Sequence, residues 1–283
     1  VRAGARRVAH DSQRYGGVVS MILVKIGGGS DINLPGIAED LAEVSAPFIV
    51  VHGANAVRDA IAAKLGNPTQ VVTSVSGYTS VLSDKAALDA ILMGYAGVQN
   101  KRIVELLQQN GVNAVGLSGI DGRAIQGQRN KGIRVRKNGK TLIVRDFSGK
   151  PRSANKELFQ LLLDGGYAPV LSIPIIDEHA TAINSENDDI INVLQAAFHA
   201  EVVLQLIEAP GFLADKDDES TVVPEIRAGE LEQREAQVEG RMKRKMLALR
   251  KLFEEGAEKV IMSDGRVEHP VRDALAGKGT VIQ

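Results

Sequence analysis

The residues best suited to phosphate chemistry lie at the end of a short apolar segment near the start of the chain. Residues 21–29 read MILVKIGGG, which predicts a strand that carries one lysine, Lys25, into a run of three glycines. A side chain at the carboxyl end of a parallel strand points into the crevice above the sheet, and glycines let backbone N–H groups approach an anion closely. The segment therefore predicts a phosphate-binding site.

Two further segments place polar or charged side chains at predicted helix starts. Residues 182–189 read AINSENDD and contain the amide of Asn184 and the carboxylate of Asp188. Asn and Asp are also common N-cap residues, so a purely structural cap is the alternative. Residues 240–245 read GRMKRK, where free N–H groups and the macrodipole favour an anion, although a lysine there is more often solvated than catalytic.

A strongly basic stretch interrupts an otherwise balanced chain. Residues 123–156 contain eleven Lys and Arg against one acidic residue, Asp146, although the formal net charge of the whole chain is only -1. Two alternating runs flank Asn138-Gly139, which is a strong hairpin signal. The hairpin faces something negative, or it is a solvated edge that is kept charged against aggregation. Nucleic acid is the weaker candidate, because aromatic residues make up only 4% of the chain and offer no stacking platform.

Composition bounds the class of protein. The 283 residues are 44% hydrophobic and 24% charged, which is enough for a large α/β core. Cysteine is absent, so disulfides and thiolate chemistry are excluded, and a cytoplasmic setting fits. No apolar run approaches 18 residues, and we expect neither a membrane span nor a secretory signal. The Arg-rich residues 1–20 are predicted to be a disordered extension or upstream sequence.

Strand and helix patterns alternate along the rest of the chain. Such alternation predicts an α/β fold, a three-layer sandwich with a mostly parallel central sheet, helices on both faces and the basic β-hairpin inserted. A second strand, 48–51, runs into His52-Gly53-Ala54-Asn55, and a long helical pattern begins at the cap Ser83-Asp84 and continues to about Gln109. We predict a two-lobed unit, 21–180 and 181–283, with a boundary near Thr181.

Taken in order, these motifs resemble those of the amino acid kinase family, in its acetylglutamate kinase branch. The series is K-x-G-G after the first strand, H-G-x-x after the second, N-x-x-x-D before a helix, a P-G turn at 210–211, and G-x-M-x-x-K on a late helix. The resemblance covers residues 21–283. Segments 98–123, 239–246 and 264–282 are most similar to kinases that act on an amino acid attached to an amino-group carrier protein, the LysW-aminoadipate and LysW-glutamate kinases.

The resemblance implies transfer of a phosphoryl group from ATP, with Mg²⁺, to a side-chain carboxylate, which gives an acyl phosphate in lysine or arginine biosynthesis. It implies an acceptor-binding and dimer-forming first lobe, a nucleotide-binding second lobe, and no metal ligands among the protein residues. The implied site residues are Lys25, Asp188 and Lys245 for catalysis; Gly27, Gly28, Gly53 and Ala54 for phosphate; Asn184, Thr79 and Val81 for the acceptor; and Pro210, Gly211, Met242 and Lys243 for the nucleotide.

The resemblance also gives the basic hairpin a partner. An acidic carrier protein would be steered and held by a positive surface, whereas a free acetylated amino acid would not need one. The implied carrier-binding residues are Arg134, Arg136, Lys137 and Lys140. Relatives form at least homodimers, which makes a homo-oligomer the expected state.

The sequence departs from the family pattern at three places. The second loop reads HGAN where a further glycine is usual, and the nucleotide turn reads LIEAP where Ser or Thr followed by Asp or Asn is usual. Relatives carry an arginine in residues 76–84 to clamp the acceptor, and the candidate positions here are Thr79 and Val81, which cannot replace a guanidinium. A kinase of free N-acetylglutamate, a nonenzymatic regulatory member and, more distantly, a nucleoside monophosphate kinase remain alternatives.

Overall fold

The computed structural model describes residues 21–75, 79–137, 140–215, 217–237 and 240–283, so the predicted extension 1–20 and the Asn138-Gly139 turn lie outside the described residues. The strands are β1 (Ile22–Ile26), β2 (Phe48–His52), β3 (Val71–Thr73), β4 (Thr79–Val81), β5 (Ala114–Ser118), β6 (Ile125–Arg129), β7 (Ile133–Lys137), β8 (Lys140–Val144), β9 (Gly149–Ala154), β10 (Ala168–Ser172), β11 (Ile175–Ile176), β12 (Ala182–Ile183), β13 (Val202–Ile207), β14 (Glu225–Ile226), β15 (Lys259–Asp264) and β16 (Thr280–Ile282). The α-helices are α1 (Leu34–Glu43), α2 (Asn55–Lys64), α3 (Lys85–Ile91), α4 (Asn100–Gln109), α5 (Lys156–Asp164), α6 (Asn187–Phe198), α7 (Leu231–Gln237), α8 (Gly240–Glu254) and α9 (Pro270–Leu275).

An eight-stranded sheet forms the centre of the molecule, with β1 in its interior. Its order is β14-β16-β15-β13-β1-β2-β10-β5, and every pair is parallel except β15 with β16. The register places Lys25 of β1 beside Gln205 of β13 and Val51 of β2. Because β1 is flanked by parallel strands on both sides, its carboxyl end opens at the middle of the sheet edge.

Both faces of this sheet are covered by helices, because successive strand residues point to opposite faces. Leu23 lies in a buried cluster with residues of α6 and α8, and Val24 lies in a second cluster with residues of α1, α4 and α9. The predicted α/β sandwich with a mostly parallel sheet is confirmed. The two predicted lobes share this sheet, since β1 pairs with β13 across the predicted boundary.

The long helical pattern after Asp84 is one continuous helical rod with an irregular middle. The Asp84 side chain caps it by accepting a hydrogen bond from the Ala87 N–H (2.8 Å), as predicted. A π-helical segment, Leu92–Gln99, joins α3 to α4. Within it, a Cβ on Gly94 would lie 3.0 Å from the Arg58 backbone, so the glycine lets the rod pack closely against α2.

Three smaller sheets are formed by the described residues in addition to the main sheet. The predicted basic hairpin is confirmed as the antiparallel pair β7 and β8. The backbone N–H of Val75 donates to the carbonyl of Arg134 (2.8 Å), which places this hairpin beside the pair β3 and β4. A four-stranded sheet, β12-β11-β6-β9, was not predicted, because two of its strands are only two residues long.

None of the helices in the described part of the chain combines the length and the apolar character that a membrane span requires.

A buried histidine ties the end of β2 to the strands beyond it. His52 Nδ1 donates to the Gly53 carbonyl (3.2 Å), and its Nε2 accepts from Asn100 Nδ2 (3.1 Å), which also donates to the Val170 carbonyl (2.9 Å). Burial lowers the pKa of His52 to about 4, so the imidazole is neutral in the folded protein.

We expect this histidine to make the fold sensitive to acid. The pKa of His52 is lower in the folded protein than in the unfolded chain, so the neutral imidazole contributes fully to the free energy of unfolding above pH 6.5. As the pH falls from 6.5 to about 4, the free energy of unfolding decreases by up to ~3 kcal/mol. His52→Gln should be less stable at pH 7.5 yet lose less stability between pH 6.5 and 4.5 than the wild type. Urea unfolding at a series of pH values measures both slopes, and equal slopes would contradict the prediction.

Candidate active site

Two glycine turns meet above the central strands. Since β1 and β2 are adjacent and in register, the turns that follow them begin side by side. A Cβ on Gly28 would lie 2.8 Å from the backbone nitrogens of Ala54 and Asn55, and one on Gly53 would lie 2.8 Å from Gly28 Cα. Such distances exclude any side chain at either position, so the two turns touch backbone to backbone.

The available N–H donors differ from those predicted. Gly27 donates to the Leu206 carbonyl and Gly53 to the Ile26 carbonyl, both at 2.8 Å, so these two groups are occupied. The Ala54 N–H is directed at the Tyr95 oxygen. The N–H groups of Gly28, Gly29 and Asn55 have no hydrogen-bond acceptor among the described residues, so all three are available as backbone donors for an anion.

Lys25 and Asp188 form an ion pair at the mouth of the crevice. Lys25 Nζ donates to Asp188 Oδ1, and the two side chains are 13% and 24% exposed. Asp188 is the second residue of α6, whose N-cap residue, Glu186, makes no side-chain capping bond. The alternative of a purely structural cap at Asn184 or Asp188 is therefore not what the structure contains.

Lys245 adds a second cation to this pair. Burial lowers the pKa of Lys245 to about 8, the positive charge of Lys25 lowers it further, and the negative charge of Asp188 acts in the opposite direction. One carboxylate thus faces two lysines. The cluster carries a surplus positive charge next to the open N–H donors, which is the electrostatic setting that an anion requires.

A cleft of about 260 Å³ opens beside Lys245. Glu208 and Gly211 line it, and Pro210 lies half-buried in the same turn. A Cβ on Gly211 would lie 2.7 Å from Thr280 Oγ1, so only glycine fits at that position. Of the predicted nucleotide residues, Met242 and Lys243 have side chains outside the described residues, although their backbone belongs to α8.

Of the predicted acceptor residues, Asn184 contacts Ser83 and Val81 lies beside Arg58. Asn184 Nδ2 donates to Ser83 Oγ (2.9 Å), so that amide nitrogen is engaged within the protein. Val81 lines a small cavity of about 10 Å³ together with Arg58 and Asp84. The side chain of Thr79 lies outside the described residues.

Sequence reasoning missed several side chains at the glycine turns. Asn55, Arg58 and Tyr95 form a hydrogen-bonded group at the start of α2, and Glu208 Oε1 accepts from the Asp31 N–H (2.9 Å). A Cβ on Gly29 would collide with this Glu208 carboxylate. The available signal was the departure from the family pattern, since Asn55 ends HGAN and Glu208 belongs to LIEAP.

The predicted carrier-binding residues belong to the hairpin of β7 and β8. Arg134, Arg136 and Lys140 are exposed on β7 and β8, whereas the Lys137 side chain lies outside the described residues.

Within the described part of the chain, no group of three or more His, Cys, Asp or Glu side chains is arranged to hold a metal ion.

A parallel α/β sheet with two apposed glycine turns and two lysines around one carboxylate defines a phosphoryl-transfer type of site. The model of the amino acid kinase family matches residues 20–263, and the chain belongs to this family. It is 40% identical to the LysW-aminoadipate kinase of Thermus thermophilus, over 93% of this chain and 100% of that protein. It is also 40% identical to the LysW-aminoadipate kinase of Deinococcus radiodurans, over 94% of this chain and 92% of that protein.

The fold has counterparts among solved structures. The protein smu.665 of Streptococcus mutans superposes with a TM-score of 0.71 at 16% identity, over 93% of this chain and 98% of that chain. At this level of identity the match concerns the fold alone. It agrees with the predicted amino acid kinase fold.

We expect the pH dependence of nucleotide binding to follow Lys245. With a pKa of about 8, the ammonium is about nine-tenths protonated at pH 7 and about one-tenth at pH 9, so ATP affinity should fall about tenfold over that range. Lys245→Gln should bind more weakly at pH 7 and show no such slope, whereas Lys251→Gln on the same helix should keep it. Calorimetric titration with MgATP measures this, and parallel slopes for wild type and Lys245→Gln would refute it.

Proposed function

We propose that this protein phosphorylates the side-chain carboxylate of an amino acid, aminoadipate or glutamate, that is attached to an acidic amino-group carrier protein. The phosphoryl donor is ATP, and the product is an acyl phosphate in lysine or arginine biosynthesis. The observation that carries the proposal is the ion pair of Lys25 and Asp188 at the end of β1, with Lys245 near enough for both of their charges to shift its pKa. The names of the two relatives at 40% identity support the choice of acceptor.

The reaction needs no proton transfer. An oxygen of the acceptor carboxylate attacks the γ-phosphorus, the bond from that phosphorus to the β,γ-bridging oxygen breaks, and ADP leaves with the electron pair. A carboxylate is already ionised at neutral pH, so a general base has no task here. Catalysis then rests on positioning two anions and on neutralising the charge that moves between them.

Lys25 and Lys245 neutralise charge at different points of the reaction because they lie at different places in the site. Lys25, at the end of β1 and below the glycine turns, contacts the transferring phosphoryl group. Lys245, which also lines the cleft beside Gly211, stabilises the charge on the leaving ADP. Asp188 orients both ammonium groups. Gly28 and Asn55 supply backbone donors, and Pro210 and Gly211 shape the wall of the nucleotide cleft, with Met242 and Lys243 on the adenosine side.

Mg²⁺ is expected to enter with the nucleotide. The ion keeps several waters and is commonly held by substrate phosphates with one or two carboxylates. The site fits this mode, because the Glu208 carboxylate lines the cleft. Bound there, the ion would neutralise phosphate charge.

The hairpin explains how a carrier would be recognised. Exposed Arg134, Arg136 and Lys140 project from β7 and β8, and Lys137 belongs to the same strand pair. The hydrogen bond from Val75 to Arg134 joins the hairpin to β3 and β4, where Val81 stands on the acceptor side. An acidic carrier held on the hairpin would therefore present its attached amino acid close to the crevice.

The acceptor can be identified by trapping the product. Hydroxylamine converts an acyl phosphate to a hydroxamate, so the protein with MgATP should give hydroxamate with a carrier loaded with aminoadipate or glutamate and none with free N-acetylglutamate. Lys25→Met should remove the product. Hydroxamate with the free acid alone would refute the carrier, and ATP binding without hydroxamate from any acceptor would favour a regulatory protein.

Charge reversal on the hairpin tests the carrier surface. The triple variant Arg134→Glu, Arg136→Glu and Lys140→Glu should raise the KM for the loaded carrier at least tenfold and weaken its salt dependence, while kcat at saturation changes little. A matched control, Lys64→Glu, Arg102→Glu and Lys278→Glu, changes net charge equally at exposed positions elsewhere. Steady-state kinetics at several salt concentrations measure this, and unchanged carrier kinetics in the hairpin variant would show a solvated edge.

A further inference from the structure

The side chain of Asn55 is held in one orientation by two donors. Tyr95 Oη donates to Asn55 Oδ1 (2.5 Å), and Arg58 Nη1 donates to the same oxygen (3.0 Å). A guanidinium has no acceptor, so the atom that Arg58 contacts must be the amide oxygen. The amide nitrogen of Asn55 therefore points away from Arg58 and Tyr95.

Both donors are themselves fixed. Arg58 is buried on α2, and its Nε and Nη2 both donate to Asp59 Oδ1 (3.0 and 2.8 Å), which also accepts from Thr69 Oγ1 (2.6 Å). Burial raises the pKa of Tyr95 to about 12, so the hydroxyl keeps its proton and remains a donor. The close packing of the π-helical segment on α2 at Gly94 holds these two elements together.

Asn55 itself lies at the glycine turns. Asn55 is the exposed first residue of α2, and its backbone nitrogen is 2.8 Å from the Cβ position of Gly28. Its Nδ2 donates to no described residue. The negative charge of Glu186, at the start of α6, helps to raise the pKa of Tyr95, so this group lies within electrostatic range of the helix that carries Asp188.

We propose that Asn55 Nδ2 donates a hydrogen bond to the transferring phosphoryl group, and that Tyr95 and Arg58 are positioning residues that aim it. This inference rests on the proposed function, because it requires a phosphoryl group between the two turns. As charge spreads over the equatorial oxygens during transfer, a fixed neutral donor stabilises it without drawing Lys25 away from Asp188. Asn55 thus adds a side-chain donor in the loop that lacks the family's further glycine.

Asn55→Asp is the sharpest test, because it keeps the oxygen that Tyr95 and Arg58 contact and replaces only the donor. A carboxylate in the first turn of α2 is favourable for the helix, so the fold should keep its melting temperature. The kcat for hydroxamate formation should fall at least 100-fold, and Asn55→Ala should lower it by about 10- to 100-fold. Asn110→Asp, at the far end of α4, is the control for an added charge and should keep the wild-type kcat.

A binding measurement removes the dependence on the acceptor. Calorimetry with adenylyl imidodiphosphate and with ADP, each with Mg²⁺, gives the ratio of the two affinities. Asn55→Ala should weaken binding of the triphosphate analogue about tenfold or more and leave ADP binding unchanged. An unchanged ratio, or a fully active Asn55→Asp, would overturn the role of Asn55.

Tyr95→Phe tests the positioning role separately. It leaves Asn55 Oδ1 with Arg58 alone, and we expect kcat to fall about three- to tenfold while the KM values for ATP and carrier stay the same. A fall in melting temperature with unchanged kcat would show that Tyr95 is only structural. Wild-type protein that binds nucleotide but forms no hydroxamate would refute the proposed function, whereas an active wild type with an equally active Asn55→Asp refutes this inference alone.

Discussion

The balance of one carboxylate against two lysines is the interaction on which the site depends. Asp188 pairs with Lys25, while Lys245 is close enough for both of their charges to shift its pKa in opposite directions. These residues come from β1, α6 and α8, which only the parallel sheet brings to one edge. The free protein tolerates this net positive charge because the ion pair of Lys25 and Asp188 is still partly solvated. The positive charge that Asp188 does not neutralise attracts an incoming phosphate.

The contact between Gly28 and Gly53 sets the geometry around this charge. Strands β1 and β2 run in register, so their turns would collide if either residue had a side chain. The end of β2, directly before the second turn, is also fixed, because His52 is hydrogen-bonded to Gly53 and to Asn100. A rigid pair of turns costs little reorganisation when charge moves through the site, which is the general advantage of preorganised donors.

The sequence patterns predicted the elements well where one local signal was sufficient. Alternation of strands and helices, the cap at Asp84 and the basic hairpin required only periodicity and turn chemistry, and the structure contains all three. Such local signals do not predict which hydrogen-bond partners the residues of the site have. That Gly27 and Gly53 use their N–H groups internally, or that Tyr95 meets Asn55 across 40 residues, depends on tertiary packing and on a π-helical segment without a sequence signature.

Arg58 contacts Asn55 at the glycine turns and also lines the small cavity beside Val81. Val81 is one of the predicted acceptor residues, and the contact with Asn55 is a hydrogen bond that the guanidinium donates. Sequence comparison suggested a missing cation near Val81, yet the structure places a buried one there from a different element, α2. Because Arg58 both holds Asn55 and lines the cavity beside Val81, a change of its position would alter both contacts at once. Arg58 therefore connects the glycine turns to the cavity beside Val81, and a substitution at Val81 that displaced Arg58 would also disturb Asn55.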